Sequence, residues 1–289
     1  MEKFKSPSRI TFGCEPLGGT DWGKVSFKNI ENAIDKALDI GVNSFDTAAV
    51  YGLGLSEKRL SKILGKKRHE LFIATKGGLK WSEGIEKKRA EIVKDSSPKQ
   101  LIFDVKASLK RLNLYSIPLF YIHWPDHKLE IEESIFTLRK LKLEGLIKNI
   151  GLSNFNLKLL KSAQKVCKID YIQLPWNILE EPSGEIVNYC INNKISIVVY
   201  NALYSGLLTG KFNYNTKFPD NDRRSRLEIF RKKTTFDTIE KFKKLAMTKK
   251  MTLTQLSIKK LWDNSKISSI IFGIKTKQQL IENCFLIKR

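Results

Sequence analysis

Short apolar runs alternate with amphipathic runs along almost the whole chain. The first, ITFGCEPLG, predicts a strand. Over residues 28–40 the period lengthens. Ile30, Ala33, Ile34, Ala37 and Leu38 fall on one stripe, as on a helix with one face against a core. Gly41 is a natural helix stop, and NSFDTA reads as the next strand. The alternation then repeats. Helices are expected over residues 56–64, 98–112, 131–144, 157–167 and 185–192, and strands at ELFIATK, IPLFYIHW, IKNIGLSN, YIQLPWN and ISIVVYNAL. Two helices near 235–248 and 253–264 precede the strand SSIIFG, and a last helix covers 277–285.

Continuously apolar strands between amphipathic helices predict a parallel sheet covered by helices. Eight such units in one chain fit an α/β fold, a single-domain (β/α)8 TIM barrel spanning 1–289. A doubly wound sheet is the alternative. It would carry a GxGxxG turn after its first strand, and FGCEPLGG does not match that spacing.

Composition narrows the class. The 289 residues are 42% hydrophobic and 28% charged, an ordinary globular balance. No apolar run approaches the ~20 residues of a membrane span. MEKFKSPSRITF has a basic start without an apolar h-region, so a cytoplasmic location is expected. Cys14, Cys167, Cys190 and Cys284 are scattered without a CxxC pair, which predicts reduced thiols and no metal site. The net charge of +22 invites a nucleic-acid reading. Yet the lysines are spread along presumed helix faces such as EKKRAEIVKD and KFKKLAMTKK, without zinc spacing or an aromatic-glycine RNA motif. Neither nucleic-acid nor membrane partners are expected, whereas a basic field would attract an anionic cofactor.

In a barrel of this type, chemistry collects where strands end. The second strand ends in Asp46, with Tyr51 in the loop beyond it; the third ends in Lys76 and the fourth in His123. Each has an ordinary reading: a helix cap, loop packing, a surface charge, a core histidine. All four at one end of one barrel make a coherent acid–base set. An ammonium lowers the proton affinity of a neighbouring phenol, a carboxylate fixes that ammonium, and a histidine donates a hydrogen bond to a substrate oxygen.

FDTAAVYGLGLSEKRL, IATK, FYIHW, IGLSNF, YIQLPWN and GLLTGK, in this order, resemble the aldo-keto reductase family over residues 10–283. The resemblance implies an NADP(H)-dependent oxidoreductase interconverting aldehydes or ketones with alcohols, with aldoses among its candidate substrates. It implies Tyr51 as general acid/base, Asp46 and Lys76 as its tuning pair, and His123 as the residue orienting the carbonyl. Cofactor-binding segments are implied at 151–211 and 272–284. Ser153, Asn154 and Gln173 match contacts to the nicotinamide carboxamide, and Tyr200 matches the ring that stacks on the nicotinamide. Asn201, Leu203, Ser205, Gly206 and Lys211 fall in the loop over the pyrophosphate. Gly273, Lys275, Gln279 and Asn283 match the adenosine-phosphate site, where a lysine and a helix N-terminus favour NADPH/NADP+ over NAD(H).

Two positions depart from the family pattern. Asn201 stands where serine or threonine is common, and Phe272 where proline often precedes the glycine. The chain ends at Arg289, which leaves little room for the long C-terminal loop of some relatives and implies an open pocket, or one completed by a neighbouring chain. Trp22, Trp81 and Trp124 are candidate walls of a substrate pocket, as is Trp176, and aromatic walls suit sugars as well as apolar carbonyls. The expected partner is a small carbonyl or alcohol, and the expected state a monomer or weak homo-oligomer. The alternative within the same likeness is an NADP(H)-binding sensor or channel-associated regulatory subunit with little turnover.

Overall fold

The computed structural model describes residues 6–82 and 90–287. Its elements run β1 (Ile10–Gly13), α1 (Phe27–Asp39), β2 (Ser44–Asp46), α2 (Leu55–Leu64), β3 (Phe72–Gly77), β4 (Leu79–Trp81), β5 (Ile92–Lys94), α3 (Pro98–Leu112), β6 (Ile117–Ile122) and α4 (Ile131–Leu143). They continue β7 (Ile147–Ser153), α5 (Leu157–Val166), β8 (Tyr171–Pro175), α6 (Gly184–Asn192), β9 (Ser196–Tyr200), α7 (Lys233–Thr248), α8 (Leu253–Trp262), β10 (Ser269–Gly273) and α9 (Lys277–Asn283). Eight strands close into a parallel barrel in the order β1, β2, β3, β6, β7, β8, β9, β10, with β10 pairing back onto β1 through Ile10↔Ile270.

Local chemistry sets the helix starts. Ser97 precedes Pro98 and accepts the Gln100 N–H, so α3 begins with its side-chain cap in place. Thr252 and Gln255 form a reciprocal capping box on α8. Alternation along the strands sorts the rest. Phe45, Ile73, Phe120, Ile150, Ile172, Ile197 and Ile270 face outward into the layer between sheet and helices. Phe72, Ala74, Leu119 and Tyr121 fill the barrel interior. Gly151 is required there, because a Cβ at that position would lie 2.3 Å from the Tyr121 ring. At the N-terminal end of the barrel, Thr11 bonds to Ser44 and Ser269, each at 2.8 Å.

One feature departs from the sequence expectation. The stretch EKKRAEIVKD, read as a helix face, ends in strand β5, which pairs antiparallel with β4 directly after β3. The β-branched Ile92 and Val93 and an immediately preceding partner strand override the helical charge pattern; residues 83–89 lie outside the described residues. Between β9 and α7 the chain forms short 3-10 turns around a second core of Leu207, Leu208, Phe230, Phe236, Ile239 and Leu253. Among the described residues no helix is long and apolar enough to cross a membrane. All four cysteines carry free thiols. Burial pushes Cys14 well up, and Cys190 and Cys284 to about 12, which keeps these thiols in the unreactive protonated form.

Candidate active site

Asp46, the last residue of β2, is buried with both carboxylate oxygens engaged. Oδ1 accepts from Lys76 Nζ at 2.5 Å and Oδ2 from Gln173 Nε2 at 2.8 Å. Lys76 also donates to the Thr47 carbonyl at 2.9 Å. A buried ion pair stands only when its remaining hydrogen-bonding capacity is met, and here Gln173 and Thr47 meet it.

The loop carrying Tyr51 is tied down on both sides. Ala49 N–H donates to the Lys76 carbonyl at 3.1 Å, while Ser56 Oγ reaches the Cys14 carbonyl and bonds to Thr47 Oγ1, each at 2.8 Å. Gly52 has φ +58°, and a Cβ there would sit 2.2 Å from the Gly18 carbonyl oxygen. Below the loop, buried Glu57 accepts from Thr75 Oγ1 at 2.6 Å and from Arg111 Nε at 2.5 Å, locking α2 to β3 and α3.

Tyr51, Lys76 and His123 converge. Lys76 Nζ lies 5.2 Å from the Tyr51 ring centre. The His123 ring meets Tyr51 edge-on, with centres 5.8 Å apart at 83°. Burial holds His123 well below the usual histidine range, and the Lys76 charge adds to that, so its imidazole is neutral. Tyr51 departs from the sequence expectation. Its pKa is raised, not lowered: burial acts first, then the negative charges of Glu15 and Asp46, against Arg223. The physical reason is burial of the phenol, and the Asp46 carboxylate that holds Lys76 also opposes loss of the phenolic proton. In this arrangement Tyr51 is a phenol that carries its proton.

A continuous polar chain runs on from Asp46. Beyond Gln173, Ser153 Oγ donates to Gln173 Oε1 at 3.4 Å and Asn154 Nδ2 to Ser153 Oγ at 3.1 Å. Tyr200 O–H donates to Asn154 Oδ1 at 2.6 Å. The Asn154 amide also reaches the His123 carbonyl at 3.1 Å. Four residues singled out in the sequence for one ring thus form one network, and Gln173 joins it to the Asp46–Lys76 pair.

The phosphate-side residues gather in a second cluster. Asn201, Ser205 and Gly206 adopt positive φ, and Asn201 Oδ1 accepts the Ser205 N–H at 2.8 Å, so asparagine closes the turn expected of serine or threonine. Leu203 packs against the adjoining cores. Lys275 Nζ donates to the Trp22 carbonyl at 2.8 Å, and its backbone N–H to Gln279 Oε1 at 2.8 Å. Gly273 is exposed and Asn283 is buried. Burial first, then the nearby Arg224, lowers the pKa of both Lys211 and Lys275. Lys211 and Arg224 both lie over the Phe212 ring and Arg224 and Lys275 over the Trp22 ring, so three cations gather around the Asp222 carboxylate, leaving an excess of positive charge for an anionic group.

A sequence model described as the Aldo/keto reductase family matches residues 9–289. The chain belongs to the aldo-keto reductase family. It is 32% identical over 280 residues to the aldo-keto reductase YhdN of Bacillus subtilis (strain 168), covering 94% of this chain and 83% of that one. It is 28% identical over 293 residues to the NADH-specific methylglyoxal reductase of Escherichia coli (strain K12), covering 96% and 86%. Among solved structures, the glycerol dehydrogenase of Gluconobacter oxydans superposes with a TM-score of 0.85 at 32% identity, covering 98% of this chain and 88% of that one. As an aldo-keto reductase the protein is an oxidoreductase of carbonyl and alcohol substrates that uses a nicotinamide cofactor.

The tryptophans of this reductase have different settings. Trp22 lies at the barrel mouth, with Arg223 and Lys275 over its ring at 5.6 and 5.8 Å. Trp81 sits on β4, and Trp124 is 40% exposed with Lys94 of β5 over it at 5.6 Å. Trp176 is buried in the core. Sequence reading missed Glu15, Asp222, Arg223 and Arg224. Asp222 accepts from Arg224 through both carboxylate oxygens. The run RRSR was the available signal, but it is one basic stretch among many in a chain of net charge +22.

Proposed function

We propose that this reductase transfers hydride between NADP(H) and a small hydroxylated carbonyl or its alcohol, with Tyr51 carrying the proton. The observation that supports this reading most is the meeting of Tyr51, His123 and the buried Asp46–Lys76 pair at one point of the barrel mouth. Bound cofactor supplies or accepts the hydride. In the reducing direction Tyr51 gives its phenolic proton to the carbonyl oxygen. Neutral His123 donates a hydrogen bond to the same oxygen and orients it. Lys76, fixed by Asp46 and the Thr47 carbonyl, stabilises the phenolate left on Tyr51.

The residues fit such a cofactor. Asn154, Gln173 and Ser153 offer amide and hydroxyl groups for the carboxamide, and Tyr200 offers a ring face. Ser205 and Gly206 provide a positive-φ turn for close approach of the pyrophosphate, beside Lys211. Arg224 and Lys275, with Gln279 and Asn283 on the adjoining helix α9, favour the additional phosphate of NADP(H). A family relative is NADH-specific, so the preference is an experimental question for this chain. The hydroxylated substrate class draws on the glycerol dehydrogenase likeness, with Trp22, Trp81 and Trp124 as candidate walls.

The test is loss of NADPH absorbance with simple aldehydes and aldoses, wild type beside Tyr51→Phe. Turnover that falls at least ~1000-fold in the variant, with NADPH binding retained, supports the reading. Tight NADPH binding without turnover by wild type would favour the sensor or regulatory-subunit alternative.

A further inference from the structure

We propose that Glu15, Arg223 and Trp22 form a hydroxyl-reading site beside Tyr51, selecting carbonyl substrates that carry a hydroxyl on the carbon next to the carbonyl. This deepens the proposed function and rests on it.

The position follows from the backbone. Glu15 opens the 3-10 turn Glu15–Gly18, directly beyond the C-terminal end of β1. That turn is pressed against the Tyr51 loop: a Cβ on Gly18 would lie 2.8 Å from the Tyr51 carbonyl carbon and 2.7 Å from Gly52 N. Both Tyr51 and Tyr200 sense the Glu15 charge, which opposes their ionisation. Glu15 therefore stands at the mouth of the barrel, within electrostatic reach of the proposed proton donor and of the ring proposed to hold the nicotinamide.

The side chains around it leave matched hydrogen-bonding capacity. Glu15 Oε1 accepts from Arg223 Nη1 at 2.8 Å across 208 positions of sequence. Among the described bonds, its Oε2 has no partner, and the guanidinium makes no other hydrogen bond. The indole N–H of Trp22 is buried without a hydrogen bond, close to the Glu15 carboxylate but short of bonding geometry. One free acceptor oxygen and two kinds of donor, walled by the Trp22 ring under Arg223, suit a hydroxyl, which both gives and accepts a hydrogen bond.

A purely structural clasp explains the pair poorly, because the two loops are already joined without it. Asp21 and Arg226 pair at 2.9 Å, Arg223 N–H donates to the Asp21 carbonyl at 2.9 Å, and Trp22 bridges to Asp222. Burial raises the Glu15 proton affinity, while 29% of its side chain and 41% of that of Arg223 remain exposed. An aliphatic aldehyde in this place would leave those polar groups unpaired, and a site built to bond a substrate hydroxyl rejects the analogue that lacks it. A second negative charge on the substrate would meet Glu15 directly.

The experiment compares kcat/KM for D-glyceraldehyde and for propanal, equal in carbon count and differing in hydroxyls, with NADPH as reductant. Wild type is expected to favour glyceraldehyde at least ~100-fold. In Glu15→Gln and in Trp22→Phe, which keeps an aromatic wall but removes the donor, that ratio falls at least ~10-fold, chiefly through the glyceraldehyde KM. Arg223→Lys, which keeps a donor, retains part of the preference. No preference in wild type overturns the proposal. So does an unchanged ratio in variants whose rates with both aldehydes fall together, the result expected of a clasp. Wild-type enzyme that reduces neither aldehyde overturns the proposed function, and this inference with it.

Discussion

Tyr51 and His123 are both shifted away from the charged state, and in opposite directions: the phenol upward and the imidazole downward, each chiefly by burial. That pair of shifts makes a pH prediction. Carbonyl reduction needs Tyr51 protonated, so its rate is expected to hold steady from about pH 6 to 9 and to fall only beyond the ordinary tyrosine range near ~10. Alcohol oxidation needs the phenolate, so its rate is expected to climb with pH over the same interval. Neither direction should show a limb near ~6.5, because His123 stays neutral there. Initial rates in both directions across that range check this, and a reduction rate that halves near pH 6.5 contradicts the assignment of His123. Asp46, Lys76 and His123 were legible as candidates because each sits at or beside a strand end, where side-chain direction is fixed by strand alternation, whereas Tyr51 lies in the loop beyond β2 and was legible through the motif around it. The sign of the Tyr51 shift was not, since it depends first on how deeply the folded chain buries the phenol and then on the neighbouring Glu15 and Asp46 charges.

Elements matter here through the joints that aim those side chains. Gly52 is such a joint. Its positive φ and the nearby Gly18 carbonyl leave no room for a side chain. Gly52→Ala is expected to cost at least ~2 kcal/mol in urea unfolding and to lower kcat roughly 100-fold by displacing Tyr51. Variant kinetics matching wild type would show that the loop relaxes freely. Asp104 is a second joint. It accepts from the Gly78 N–H and from Gln100 Nε2, each at 2.8 Å, binding α3 to the end of β3. Burial raises its carboxyl to about 6. A folded-state value above the unfolded one means the protonated form is favoured in the fold. Its stability contribution is full below about pH 4 and is lost as pH rises through about 6. Between pH 4.5 and 7.5, wild type is therefore expected to lose on the order of 2 kcal/mol relative to Asp104→Asn, whose amide cannot titrate. Paired denaturation curves at the two pH values measure it. Most helix spans were readable from apolar stripes and caps. The β4–β5 hairpin was not, because β5 exists only through its partner strand, and local charge periodicity suggested a helix instead.

On the scale of the molecule, the +22 charge is diffuse, yet burial and mutual repulsion single out Lys211 and Lys275 beside Arg224. Attraction of a multiply charged cofactor to such a surface is screened by salt. The KM for NADPH is expected to rise several-fold between 20 and 300 mM salt, and to do so more steeply than the KM for NADH. In Arg224→Met that difference should shrink. Equal salt dependence for the two cofactors would argue against a phosphate contact at this cluster.

The sequence by itself determined the barrel, since strand and helix periodicities are local and eight repeats leave few topologies. It also determined the residue types at the strand ends and the family whose motifs they match. Only the tertiary structure decided which side chains share a network. Gln173 meets Asp46 across 127 positions and Arg223 meets Glu15 across 208. Such contacts arise from barrel closure and loop convergence, and no periodicity records them. The protonation states follow the same rule, because burial and neighbouring charge exist only once the chain has folded.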